Sequence, residues 1–239
     1  MSELPPTSRR AARAALGDAS SEGVDDGSFR VLFVCSGNIC RSALAEQVLR
    51  ARVRAIFGGH AAEADSVVRF SSAGTIAAEG QRMPEQAAEL SVRYGGDPSE
   101  HQARFLTPGI IQGVDLVLTM AREHRSAVVR AVPRANRFTF TIREFAALFE
   151  HLVEVSGDEK HIACDGDVPA QLRDLIPLVA AQRGVTLPPA HEDDYDVVDP
   201  YRRSQATYDA SGEQAGGAIE SILESVRAVT RTAAPRLRG

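Results

Sequence analysis

An apolar, β-branched run from Phe29 to Val34 gives way to Cys35-Ser36-Gly37, and a helical periodicity begins at Ser42. No other stretch limits the possible folds so strongly. A short run that is apolar on both faces suits a buried parallel strand. Leu44, Val48, Leu49, Val53 and Ile56 then recur at helical spacing, and Gly58 and Gly59 stop the helix. Ser42 is positioned to cap its start. The alternation continues with a strand at 67–71, a helix from Pro84 to Tyr94, a strand at 114–120 and a helix from Arg122 to about Ala131. Residues 138–152 read as a strand leading into an apolar helix, and Gln171 to Arg183 as a helix that Pro177 kinks or begins. Tyr208 to Thr230 forms a long terminal helix, with Gly216 and Gly217 as weak points. Strands alternating with helices predict an α/β fold, a three-layer α/β/α arrangement around a central, mostly parallel sheet.

The chain has 239 residues, 44% of them apolar, which suits one core. Residues 1–28, with Pro5, Pro6, Arg9 and Arg10 and no sustained apolar face, read as a disordered tail, and 29–239 as a single domain. The net charge of −5 argues against a nucleic-acid partner, so an anionic ligand has to be held by a local device. No apolar run approaches the roughly 20 residues of a membrane span, so no membrane insertion is expected. Three cysteines do not make a disulfide framework, which favours a reducing, cytoplasmic setting.

The segment Cys35-Ser36-Gly37-Asn38-Ile39-Cys40-Arg41-Ser42 lies where the first strand hands over to the first helix. Ligands of parallel sheets bind at the carboxyl ends of strands, and a helix N-terminus presents free N–H groups to an anion. A loop of this length folds into a nest of amides around a tetrahedral oxyanion. Gly37 permits close backbone approach, and Asn38 tolerates left-handed angles. Arg41 supplies a fork for two oxygens of a phosphoryl group. The amides, the helix terminus and Arg41 favour the thiolate of Cys35, and Ser42 can donate a hydrogen bond to that sulfur.

These residues resemble the low-molecular-weight protein tyrosine phosphatases. Cys35 to Ser42 matches that family's phosphate-binding loop, with Leu44-Ala45-Glu46 continuing the likeness, although Ala43 stands where the family usually has Pro. Ser72-Ala73-Gly74-Thr75, the segment of His101, Ala103 and Arg104, the strand Asp115 to Met120, and Asp199-Pro200-Tyr201 follow in the family's order. The resemblance implies a cofactor-free, metal-independent phosphatase that acts on a phosphorylated protein, most simply on phosphotyrosine, through a phosphocysteine. It makes Cys35 the nucleophile, Arg41 the oxyanion clamp and Asp199 the general acid and then base. Ser36, Gly37, Asn38, Ile39, Cys40 and Ser42 would line the phosphate site, and Ser72 and His101 would brace the loop. Residues 76–79 carry no aromatic side chain, which leaves Tyr201 as one wall.

For Cys40 two readings stand level: the resemblance suggests a reversible disulfide that shields Cys35, while its chemistry equally suits a small buried residue. The acidic residues Glu192, Asp193, Asp194 and Asp196 gather like charges near Asp199, which favours its protonated form. By itself the run also suits a solvated loop or a weak cation site. Residues 138–190 exceed the family's compact pattern and read as an insertion that includes Cys164. Asp165-Gly166-Asp167 invites an aspartyl-phosphate mechanism, but the preceding residues make a poor strand for it. The loop also allows thiol-coupled arsenate reduction, or phosphoprotein binding without turnover.

Overall fold

The computed structural model describes residues 26–157, 166–187 and 189–230. The tail at 1–25, together with Cys164 and Asp165, lies outside the described residues. Before Phe29, Ser28 is already buried, and both its N–H and its hydroxyl donate to Asp26.

Four parallel strands form the sheet: β1 (Phe29–Cys35), β2 (Val68–Gly74), β3 (Leu116–Thr119) and β4 (Thr139–Thr141), in the order β2-β1-β3-β4. The helices are α1 (Arg41–Ile56), α2 (Ala61–Val67), α3 (Glu85–Arg93), α4 (Pro108–Gln112), α5 (Arg122–Ala131), α6 (Ile142–Ser156), α7 (Val168–Ala181) and α8 (Gln205–Thr230). Val31 and Phe33 of β1 join a core with α1, α3, α6 and α8, whereas Leu32 and Val34 face Ile111 of α4 and Val128 of α5. The period-two alternation of a strand therefore feeds two helix layers. After β1 the chain turns into one layer and after neighbouring β3 into the other, which opens a crevice at their carboxyl ends.

Several details differ from the expected pattern. Helices α2 and α4 are too short to carry a legible periodicity. Helix α7 runs through Pro177, whose ring faces solvent, and it starts where the Asp167 carboxylate accepts from Ala170 N. Asp167 is thus a helix cap. In α8, Gly216 is a packing position: a Cβ there would lie 2.8 Å from the Tyr94 ring. Helix α6 begins with a capping box in which Thr141 and Glu144 each satisfy the other's backbone N–H. It packs on α8, which in turn packs on α1.

Candidate active site

β1 delivers Cys35 to the carboxyl edge of the sheet, and the residues after β2 pin the loop that follows. Thr75 N donates to Cys35 O at 3.0 Å and Ile76 N to Ser36 O at 3.0 Å. Gly74 makes that approach possible, because an added Cβ would sit 2.5 Å from Ser36 O and 2.9 Å from Asn38 N. The glycine demanded by close approach is therefore Gly74; at Gly37 a Cβ would meet only the Ile39 side chain, at 3.4 Å. Asn38 takes a left-handed φ of 54°, and its N–H points at Cys35 Sγ, 3.3 Å away.

Ser42 does not cap α1. Cys40 occupies the cap position without a side-chain bond, which leaves the first-turn amides open toward an anion. The Ser42 hydroxyl instead lies 3.0 Å from Cys35 Sγ. Its polarity follows from its neighbours. Asn38 Nδ2 donates to Ser42 Oγ at 3.0 Å and to Ser72 Oγ at 2.7 Å, and Ser72 in turn donates to the Glu46 carboxylate. With Asn38 filling its acceptor side, Ser42 has its hydrogen free for the sulfur. Arg104 N donates to Asn38 Oδ1 at 3.0 Å, and His101 Nε2 meets Asn38 O at 2.6 Å. Arg50 pairs with Glu46, which balances that carboxylate.

The chain's far end closes over Arg41. The guanidinium is only 4% exposed, and its Nη2 lies 2.8 Å from the half-exposed Asp199 carboxylate. Nη1 donates to Val197 O at 3.2 Å and Nη2 to Ser36 Oγ at 3.3 Å. Val197 N donates to Met120 O at 2.8 Å, so this strap is fastened to the end of β3. The Asp196 side chain accepts from Arg122 N at 2.9 Å, and Glu192 pairs with the Arg122 guanidinium at 2.7 Å. Part of the acidic run thus anchors the strap to α5. A cleft of about 970 Å³ opens beside Arg41 and Asp199, with Arg122, Arg143 and Asp194 on its walls.

The structure gathers Cys35, Ser36, Asn38, Arg41, Ser42, Ser72, His101 and Asp199 into one connected set. Tyr201 is partly exposed beside it; its N–H donates to Asp199 Oδ1 at 3.2 Å, and the Arg202 guanidinium lies 5.1 Å from its ring centroid. Ile39 and Cys40 are buried. Burial first, then the neighbouring Cys35, pushes the Cys40 thiol up to about 12 against a Tyr208 hydroxyl that shares a hydrogen bond with it.

One residue of this site was not singled out in the sequence. His124, at the start of α5, is 1% exposed, and its Nε2 lies 2.9 Å from Ser36 Oγ. Burial and then the Arg41 charge push its imidazole down to about 3, so it is neutral at physiological pH. Its position just after a sheet strand was the available signal, since such strand ends line ligand crevices.

A family model described as low molecular weight phosphotyrosine protein phosphatase matches residues 30–158, which takes in β4 and α6. A low molecular weight protein-tyrosine-phosphatase of Streptomyces coelicolor is 39% identical over 106 residues, which are 44% of this chain and 61% of that protein. A protein-arginine-phosphatase of Geobacillus stearothermophilus is 31% identical over 119 residues, 50% of this chain and 72% of that one. Among solved structures, a low molecular weight protein tyrosine phosphatase from T. tengcongensis superimposes with a TM-score of 0.55 at 29% identity, covering 82% of this chain and 99% of its own.

Proposed function

The chain belongs to the low molecular weight phosphotyrosine protein phosphatase family, and on that footing we propose that it hydrolyses phosphate monoesters without a metal through a phosphocysteine. The observation that carries this reading is the convergence of the Ser42 hydroxyl and the Asn38 amide on Cys35 Sγ, beside a buried Arg41 paired with Asp199. The thiolate attacks phosphorus in line while Arg41 and the loop amides hold the equatorial oxygens. The P–O bond to the leaving group breaks as Asp199 gives that oxygen a proton. Asp199, now a carboxylate, takes a proton from water, whose oxygen attacks phosphorus. The S–P bond then breaks, releasing inorganic phosphate and the Cys35 thiolate.

A phosphorylated protein, with tyrosine as the phosphorylated residue, is the substrate we favour, and Tyr201, whose N–H donates to Asp199 Oδ1, would flank the aryl ring. Cys40 would act as a protective partner: peroxide oxidises Cys35 to its sulfenic acid, and the Cys40 thiol condenses with it, releasing water. Free thiols at both positions suit a cytoplasmic setting. The test is phosphate release from p-nitrophenyl phosphate and a phosphotyrosine peptide in excess chelator, with arsenate plus a thiol reductant run alongside. Turnover of both esters that disappears in Cys35→Ser supports the proposal. Full activity in Cys35→Ser, or activity lost to the chelator, overturns it.

A further inference from the structure

His124 enters none of the roles proposed above, yet it touches Ser36, and through Ser36 it meets Arg41. Its Nε2 faces two oxygens, Ser36 Oγ at 2.9 Å and the exposed Glu123 Oε1 at 3.3 Å, while its buried Nδ1 has no hydrogen-bond partner among the described residues. A neutral imidazole carries one N–H and one lone pair. A hydrogen on Nδ1 would strand a buried donor and set the Nε2 lone pair against a carboxylate. A hydrogen on Nε2 faces two acceptors and leaves only a lone pair unmet, at smaller cost. The exposed Glu123 is screened by water and does not offset burial and the Arg41 charge, so the ring stays neutral.

Ser36 Oγ therefore accepts from His124 Nε2–H and from Arg41 Nη2–H. A hydroxyl oxygen with both lone pairs engaged has its own hydrogen left to give. No acceptor within the described residues takes it, and the hydroxyl stands in the loop that begins at Cys35, against the guanidinium. We infer that His124 is a positioning residue, whose Nε2–H turns the Ser36 hydroxyl hydrogen toward a phosphoryl oxygen held by Arg41. The inference rests on the phosphate-site reading above and adds a side-chain donor to the loop's backbone amides. It also accounts for a histidine in a buried position beside a cation, where an ionised ring would be repelled.

Two measurements test this. Calorimetric binding of inorganic phosphate reads the site without turnover, and p-nitrophenyl phosphate kinetics read KM against kcat. His124→Phe is expected to weaken phosphate binding about tenfold and to raise KM more than it lowers kcat, as loss of one hydrogen bond to an anion would. Ser36→Ala is expected to match that loss. The Ser36→Ala/His124→Phe pair should be no worse than either single change, since both remove one donor. His124→Gln, whose amide N–H reaches the Nε2 position, should restore binding to within about threefold of wild type. Wild-type phosphate affinity in His124→Phe, or independent losses that add in the double variant, overturns the inference. If His124→Phe does not fold, Ser36→Ala decides alone: an unchanged affinity overturns it. A wild-type protein that binds phosphate but releases none from esters would defeat the proposed activity and leave this test intact.

Discussion

The Arg41 guanidinium and the Asp199 carboxylate lie 2.8 Å apart, so the cation proposed to grip a phosphoryl group already holds an anion of its own chain. On that proposal an arriving phosphate would compete with Asp199 for the same nitrogen. Two anions at one nitrogen repel each other, so the Asp199 carboxylate opposes the ligand it is proposed to serve.

Replacing Asp199 with Asn should separate binding from turnover. Inorganic phosphate is expected to bind the variant more tightly than wild type, because the competing charge has gone. The kcat for an alkyl phosphate should fall by about 10²–10⁴-fold, the usual range for a lost general acid, with a smaller loss for p-nitrophenyl phosphate, whose leaving group needs little protonation. Calorimetry and steady-state kinetics read the two effects, and weaker phosphate binding would count against a competing carboxylate.

Ser42→Ala removes the hydroxyl that faces Cys35 Sγ and also leaves one Asn38 amide hydrogen without its acceptor. Loss of that donor should slow expulsion of the sulfur from phosphorus, with kcat down about tenfold. A pre-steady-state burst of p-nitrophenol is the expected signature, since the phosphocysteine then accumulates.

Gly74→Ala tests the clamp between β2 and the loop. The new methyl would fall 2.5 Å from Ser36 O and 2.8 Å from Ala77 Cβ, contacts that backbone cannot yield cheaply. Urea unfolding is expected to show a loss of about 1–3 kcal/mol, typical of overpacking, together with weaker phosphate binding. The corresponding Gly37→Ala change should cost less, because only the Ile39 side chain has to shift.

Acid should destabilise the protein partly through His124. Its folded value is about 3 against 6.5 for a free imidazole, so below pH 6.5 the unfolded chain takes up a proton that the folded one excludes. Stability should therefore fall as pH drops from 6.5 toward 3. Asp26, held down at about 2 against 3.8 chiefly by the Ser28 hydroxyl, adds a loss in the same direction only below about pH 4. Between pH 6.5 and 4, urea midpoints of wild type should decline more steeply than those of His124→Gln. Parallel slopes would mean that the ring is ionised in the folded state.

Local order in the chain already carried most of the strand and helix positions, together with the loop from Cys35 to Ser42. An apolar run, a stop and a 3.6-residue periodicity are properties of neighbours along the chain, and they survive in the fold because both sides of a central strand have to be covered. Asn38 in its left-handed turn was legible for the same reason. Partnership across the chain was not. Ser42 offered itself both as a cap and as a donor to the sulfur; only the fold decides for the second, with Asn38 Nδ2 bonding Ser42 and also Ser72 of β2. Gly74 is needed because another strand's loop crosses above it, and Val197 and Asp199 meet Arg41 because α8 folds back over α1. His124 becomes part of the site through a hydroxyl from the first strand's loop. Burial, hydrogen-bond direction and ion pairing are set by distances in space, and a linear order of residues contains none of them.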